Sequence, residues 1–188
     1  RLVGSEMCIR DSVGSAFITA TGGTITTVCT NYKVHTFTGS GCFAVTGGSG
    51  PLAIASYMVV AGGGAGGKDR SGGGGAGGFR EGRVNTPSNP DSYSVSPLAA
   101  TTGIPLAPGT YPITIGAGGA AIPAPAPANS PVGIGGVSTF STITSAGGGG
   151  GGSGPGPFST GRDGGSGGGS DAYGSPSAPA NMAAGSGN

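Results

Sequence analysis

The chain of 188 residues contains 46 glycines and 15 prolines but only 15 charged side chains, 8 basic and 7 acidic, for a net charge of +1. This composition excludes a helical bundle, because a helix position costs about 1 kcal/mol with glycine and about 3 kcal/mol with proline, relative to alanine. It also excludes collagen, whose glycines recur at every third position. The low charge argues against a nucleic-acid-binding surface.

The first twelve residues, 1–12, resemble the translation of a transposase adapter used in DNA library preparation. We exclude them from the fold argument as an artefact. The native start is then expected to be missing, so the sequence offers no test for a signal peptide. No later run reaches the roughly 18 apolar residues of a membrane helix, and membrane insertion is not expected.

Short β-branched and aromatic runs predict strands in the first part of the chain. These predicted strands are residues 17–20, 24–28, 32–37 and 42–46. The turn at 38–41 is expected to join the last two as a hairpin. The apolar run 52–61 predicts a central strand buried on both faces.

Beyond Ala61 the composition changes, and 37 of the 46 glycines lie there. Strands are predicted at 79–84, 109–115 and 138–144, and the alternating proline and alanine of 120–131 predict extended chain. The glycine tracts are either flexible linkers or packed polyglycine II strands with three residues per turn. Aromatic residues embedded among them favour packing. The predicted fold class is mainly β: an antiparallel β-sandwich-like domain with polyglycine II-like loops and no substantial helix.

Several segments carry a family resemblance when taken in order. They are Tyr-Met-Val-Val-Ala-Gly-Gly-Gly at 57–64, the tract and strand at 72–81, Gly-Thr-Tyr-Pro-Ile-Thr-Ile-Gly-Ala-Gly-Gly at 109–119, and the tract at 144–150. Their order resembles the glycine-rich domain of phage tail fibre and adhesin-like proteins, over most of residues 16–175. The hairpin that often precedes such domains is similar to residues 32–45.

The resemblance implies a domain organisation. We expect a β-hairpin region at 13–50, a glycine-rich β domain at 51–175 and a tail at 176–188. Domains of this family usually end in an apolar closing strand, which this chain lacks. The chain is therefore expected to be truncated before that strand, leaving a neighbouring strand edge open.

Local motifs give no convincing catalytic, metal or cofactor site. Gly62 to Lys68 mimics a phosphate-binding loop, but Asp69 stands where that motif needs Ser or Thr, and no helix can follow. His35 has no acid nearby in the sequence to orient it, so we interpret it as structural or exposed. The protein is not expected to be an enzyme.

Two further patterns are weak signals. Cys29 and Cys42 flank the strand at 32–37, and a disulfide between them stays open as an alternative to free thiols. Asp163 and Asp171 lie among glycines, but they do not fit the calcium-binding nonapeptide repeat. No metal ligand set is predicted.

The resemblance implies a structural and receptor-binding module in a virion tail fibre or another extracellular location. Its partner would be a host cell-surface polysaccharide or outer-membrane protein, and a homotrimer is plausible by analogy. The loops at 85–108 and 120–132 are the candidate recognition loops. Candidate receptor-binding residues are Lys68, Asp69, Arg70, Arg80, Arg83 and Tyr93. The alternative is a non-viral glycine-rich structural or surface protein, of cell-wall or ice-binding type.

Overall fold

The computed structural model describes residues 17–28, 32–50, 53–69, 71–83, 98–100, 102–127, 130–154, 157–171 and 185–187. These ranges contain eleven short strands and no helix, which confirms the predicted mainly β, antiparallel, sandwich-like class. The strands are β1 (Thr19–Thr21), β2 (Thr24–Val28), β3 (Tyr32–Thr36), β4 (Gly41–Gly47), β5 (Ile54–Ala55), β6 (Tyr57–Val60), β7 (Phe79–Gly82), β8 (Ile104–Pro105), β9 (Gly109–Thr114), β10 (Ser138–Phe140) and β11 (Ile143–Ser145). The adapter-like segment 1–12 lies outside the described residues.

The chain divides into two compact units. The first comprises Arg1–Tyr57 and Glu81–Ile113, and the second comprises Met58–Arg80 and Thr114–Asn188. Each unit is held together by a different kind of contact.

In the first unit, β4 is the strand around which the sheet forms. It pairs antiparallel with β1 and with β9. Alternate side chains of a strand point to opposite faces, and in β4 this alternation buries Phe43 and Val45 while Thr46 stays exposed. Together with Ala53, Leu106 and Ile113, they form an apolar side-chain core.

The predicted hairpin between the strands at 32–37 and 42–46 is wrong. β3 pairs instead with β2 along its whole length, from Thr24 opposite Thr36 to Val28 opposite Tyr32. Gly22 and Gly23 lie between β1 and β2 and adopt φ of 110° and 64°, which glycine tolerates and other residues rarely do. The chain therefore bends between the strand that pairs with β4 and the strand that pairs with β3. β4 is then free to pair with β1 and the distant β9.

The apolar run at 52–61 is also not a strand buried on both faces, as the sequence predicted. It forms the short strands β5 and β6. In β6, Val59 is buried, whereas Met58 and Val60 are 69% and 49% exposed. Only one face of β6 is covered, so the prediction from the apolar run overestimated the burial of this strand.

The predicted strand at 138–144 is two strands. β10 and β11 form an antiparallel hairpin in which Phe140 lies opposite Ile143, so that Ser141 and Thr142 make a two-residue turn. Ser141 has a φ of 54°. Glycine, asparagine or aspartate usually marks such a turn, and its absence explains why the sequence read as one continuous strand.

The second unit is built around glycine tracts that are ordered. Tract 61–67 runs antiparallel to tract 71–78, and the N–H groups of Ala61, Gly64 and Gly67 donate to the carbonyl oxygens of Gly78, Gly75 and Gly72 at 3.0, 2.8 and 3.0 Å. The intervening donors point elsewhere, since Gly62 and Ala65 donate to Gly136 and Gly133. A hydrogen-bonding repeat of three residues is that of a polyglycine II helix.

Tract 146–153 lies at the centre of this bundle. It accepts hydrogen bonds from tract 71–78, with Gly75 donating to Gly149 at 2.7 Å, and it donates to tract 61–67 from Gly148 and Gly151. It also donates to tract 164–171, as when Gly152 donates to Gly169. Residues 148–154 are all buried. The core of this unit is therefore mainly backbone.

Close approach of neighbouring backbones explains the need for glycine here. A Cβ added to Gly64 would overlap the carbonyl oxygen of Gly149, and a Cβ added to Gly75 would overlap that of Ser166. Neither glycine has a positive φ. The requirement is thus for space between strands rather than for conformational freedom.

The segment at 120–131, predicted as extended chain, contains a turn. The Ala126 N–H donates to the carbonyl oxygen of Pro123 at 2.9 Å. The prolines on either side of Ala126 do not prevent the chain from bending at this point, so the alternating proline and alanine pattern does not keep the whole segment extended.

Candidate functional site at the loop end of the glycine bundle

Three loops of the second unit lie at the same end of the glycine bundle. They connect tracts 61–67 and 71–78, tracts 115–120 and 132–137, and the end of tract 146–153 with the chain that follows. The pairings establish this arrangement, because Gly67 donates to Gly72, Gly72 donates to Gly152, and Ala65 donates to Gly133. We call this region the loop end.

Lys68 is the residue that joins these loops. Its Nζ donates to the carbonyl oxygen of Ala126 at 2.8 Å, and its backbone N–H donates to Oγ of Ser153 at 3.1 Å. Ser153 is completely buried, and its own N–H donates to the carbonyl oxygen of Phe158 at 2.7 Å. One lysine therefore contacts the second loop through its side chain and the third through its backbone.

The neighbouring Asp69 is exposed and has a φ of 62°. Its carbonyl oxygen accepts hydrogen bonds from the N–H of Ser71 at 2.6 Å and from the Ser71 hydroxyl at 3.0 Å. Aspartate tolerates this left-handed conformation better than most residues. The first loop is thus a tight turn with a carboxylate at its surface.

The second loop presents a surface of proline and alanine. Its exposed residues include Pro123, Pro127 and Pro131, while Ile122 and Ala126 are half-buried. Proline has a fixed φ and no N–H. The described part of this loop is therefore conformationally restricted, even though few backbone hydrogen bonds form between its described residues.

The structure brings together only part of the predicted site. Lys68 and Asp69 lie at the loop end with the described part of the predicted recognition loop 120–132. Arg80 is in β7 within the second unit, where its guanidinium donates to the carbonyl oxygen of Phe79 at 3.0 Å. Arg83 belongs to the first unit. Arg70, Tyr93 and most of the predicted loop 85–108 lie outside the described residues.

Two residues of the loop end were missed from the sequence. Ser153 and Ala126 are chemically ordinary and act through a hydroxyl oxygen and a backbone carbonyl oxygen. Only the glycine–proline alternation after Ser153 marks the end of its tract. No local signal could have identified Ala126, since its partner is 58 residues away in the chain.

The phosphate-loop-like motif at 62–68 has a structural role. The amides of Gly62, Gly64 and Gly67, which such a loop would turn toward a phosphate, donate to carbonyl oxygens of neighbouring tracts. An extended tract follows the motif where a phosphate site needs the N-terminus of a helix. Glycine repetition therefore produced the match.

The other residues considered as possible functional groups make contacts within the fold or lie apart from the loop end. Nδ1 of His35 donates to the carbonyl oxygen of Gly22 at 2.8 Å, and its ring meets Phe43 edge-on with centroids 5.0 Å apart.

Cys42 is an exposed free thiol, while Cys29 lies outside the described residues. The carboxylate of Asp163 accepts a hydrogen bond from the N–H of Ser186, and Asp171 is buried.

The described residues offer neither a metal centre nor a membrane-spanning helix. They contain no group of three or more His, Cys, Asp or Glu side chains that could hold a metal ion. No helix there is long and apolar enough to cross a membrane.

The fold and the loop end define a class of protein: a mainly β chain in which polyglycine II strands form a scaffold for short surface loops. A family model described as a glycine-rich domain matches residues 38–188. The chain therefore belongs to the glycine-rich domain family. No curated protein and no solved structure matches it.

Proposed function

We propose that this chain is a structural and receptor-binding module of a phage tail fibre or adhesin, and that it recognises a host cell surface through loops held on a glycine-rich scaffold. The observation that carries the proposal is the convergence of three loops at one end of the bundle, tied by Lys68. Family resemblance at 57–64 and 109–119 supports the viral context. A virion or extracellular location is part of the proposal.

Physical chemistry supports a rigid scaffold with separate recognition loops. A bundle whose strands are hydrogen-bonded on several sides leaves little freedom at the points where its loops begin. Loops on a rigid scaffold can vary in sequence without disturbing the fold, and this is the arrangement typical of recognition surfaces. Exposed, conformationally restricted side chains lose little entropy when they bind a partner.

The test is binding of labelled protein to a panel of candidate host bacteria. We expect saturable binding to a subset of strains. Substitution of two exposed prolines, Pro123→Glu with Pro127→Glu, should abolish it with only a small fall in melting temperature, because each lost proline frees the unfolded chain by about 0.4–1 kcal/mol. Thr142→Glu is the matched control, because Thr142 is also exposed but lies in the β10–β11 turn, at the opposite end of the bundle. Equal loss of binding in the control, or no binding to any strain, would contradict the proposal.

A specific observation also favours the ice-binding alternative. Pro131, Ile134 and Val137 are exposed, and each is three residues from the next. In a helix with three residues per turn they form one row, with a spacing of about 9 Å. A regular apolar row suits a regular solid surface. Inhibition of ice recrystallisation by the wild type and its loss in Ile134→Asp would favour this alternative, whereas an inactive wild type would exclude it.

A further inference from the structure

Lys68 has contacts that distinguish it from an ordinary surface lysine. Its charge and its place in a turn predicted direct contact with a receptor. In the structure it is half-buried, and its ammonium group donates to the carbonyl oxygen of Ala126 at 2.8 Å. The adjoining backbone N–H donates to the completely buried Ser153. Hydrogen bonds therefore fix both the side chain and the backbone of Lys68.

The second loop needs a donor from outside itself. Four of its residues, at 123, 125, 127 and 131, are prolines and have no N–H. Its described internal backbone hydrogen bonds run from Ala126 to Pro123 and from Ser130 to Pro127. Carbonyl oxygens are thus in excess over donors, and Lys68 supplies a donor to one of them.

The hydrogen bond from Lys68 is of a strong type. Hydrogen bonds that involve an ionised group are roughly twice as strong as those between neutral groups. Partial burial also reduces screening by salt and water. A single bond of this kind, placed at the bend of the loop, can select one loop conformation among several.

We propose that Lys68 is a positioning residue, which holds residues 121–127 of the second loop in the conformation that the receptor recognises and does not itself contact the receptor. This inference rests on the proposed function. It assigns specificity to the exposed surface of the second loop and assigns to the lysine the role of an internal anchor.

The experiment compares three variants by two independent measurements. Lys68→Met removes the ammonium group and keeps the aliphatic stem, and Lys68→Arg keeps a cationic donor. Lys33→Met makes the same change at an exposed lysine of β3 in the first unit, away from the loop end, and is the control. Hydrogen exchange of the Ala126 amide, followed by NMR, reports on the loop. Binding of labelled protein to a host strain reports on recognition, and exchange of the Gly75 amide reports on the bundle.

We expect Lys68→Met to speed exchange at Ala126 and to weaken binding, each by about tenfold, which corresponds to loss of one charge-assisted hydrogen bond. Exchange at Gly75 should not change. Lys68→Arg should keep both properties within about threefold of the wild type, as expected where a donor and charge are retained. Lys33→Met should leave both at the wild-type level, because Lys33 is exposed and lies in the first unit.

Three results would overturn the anchoring role. The first is unchanged Ala126 exchange in Lys68→Met. The second is loss of binding in Lys68→Arg while Ala126 exchange stays normal, since this would mean direct contact with the receptor. The third is a loosened loop with normal binding in Lys68→Met. If the wild type bound no host strain, the proposed function would fail and the recognition role with it, whereas Ala126 exchange would still test the anchor by itself.

Discussion

The two units of this chain form their cores from different parts of the polypeptide. In the first unit, apolar side chains such as Phe43 and Leu106 are buried between strands, as in most β proteins. In the second, hydrogen-bonded backbone fills the interior, and residues 148–154 are buried although most of them are glycine. A protein interior thus needs close packing and satisfied hydrogen bonds, and it can reach both with few large side chains.

This difference changes which substitutions each unit tolerates. A side-chain core is damaged by making residues smaller, because a cavity remains. A backbone core is damaged by making residues larger, because strands that are in contact have no room for a Cβ. The two units should therefore respond in opposite ways to a change in side-chain size.

The largest effect is expected at the centre of the bundle. A Cβ on Gly149 would overlap the carbonyl oxygen of Arg162, so Gly149→Val should force apart strands that cannot move independently. We expect a loss of more than about 4 kcal/mol, a size that marks disruption of a core. Urea unfolding with amide exchange as the probe would show unprotected tract amides. Retention of protected tracts in Gly149→Val would contradict the packing described here.

In the first unit, the equivalent experiment replaces a buried apolar side chain by a smaller one. Leu106 is 2% exposed, and its backbone N–H donates to the carbonyl oxygen of Ala53 at 2.9 Å, a bond that alanine would keep. Leu106→Ala should therefore cost about 2–5 kcal/mol through the cavity alone. Chemical unfolding measures this change in the free energy of unfolding. The matched control is Leu98→Ala, since Leu98 is 50% exposed, and this change should cost less than about 0.5 kcal/mol.

A smaller loss of stability is expected when one of two serines that face each other across the β10–β11 hairpin is replaced by alanine. Ser138 and Ser145 are both completely buried. Oγ of Ser138 accepts a hydrogen bond from the Gly116 N–H at 2.9 Å, whereas Oγ of Ser145 has no hydrogen-bond partner among the described residues. Ser138→Ala should cost about 1–3 kcal/mol, because it leaves an amide without an acceptor.

Ser145→Ala is the control for that experiment. It removes a buried hydroxyl that makes no hydrogen bond within the described part of the chain, so the free energy of unfolding should stay the same or rise slightly. Equal destabilisation by the two alanines would show that the Gly116 contact has no energetic weight.

The sequence predicts the local structure of this protein better than its pairings. The β-branched run of β2 predicts its strand with the correct bounds, because propensity and alternation act within a few residues. The predicted partner of β3 was wrong, because β3 pairs with β2 while β4 pairs with β1 and with the distant β9. Strand pairing is a non-local property, and no single segment contains it.

The same limit applies to the glycine tracts and to the loop end. Composition favours extended, packed glycine strands, but Gly73 and Gly75 belong to the same run of four glycines and have very different surroundings. Likewise, the charge of Lys68 was evident, but its carbonyl partner was not. In both cases the deciding contact comes from a residue far along the chain, so the sequence predicts the kind of element and not the role of the individual residue.

The most direct test of the backbone core compares two alanine substitutions in one tract. Gly73 is exposed, and a Cβ there would meet no atom within 4 Å, whereas a Cβ on Gly75 would overlap the carbonyl oxygen of Ser166. Thermal unfolding should show Gly73→Ala at or slightly above the wild-type melting temperature, because alanine restricts the unfolded chain by about 0.4–1 kcal/mol where the native φ suits it. Gly75→Ala should lower the melting temperature strongly. Equal melting temperatures for the two variants would contradict an ordered glycine bundle and would support a flexible linker in its place.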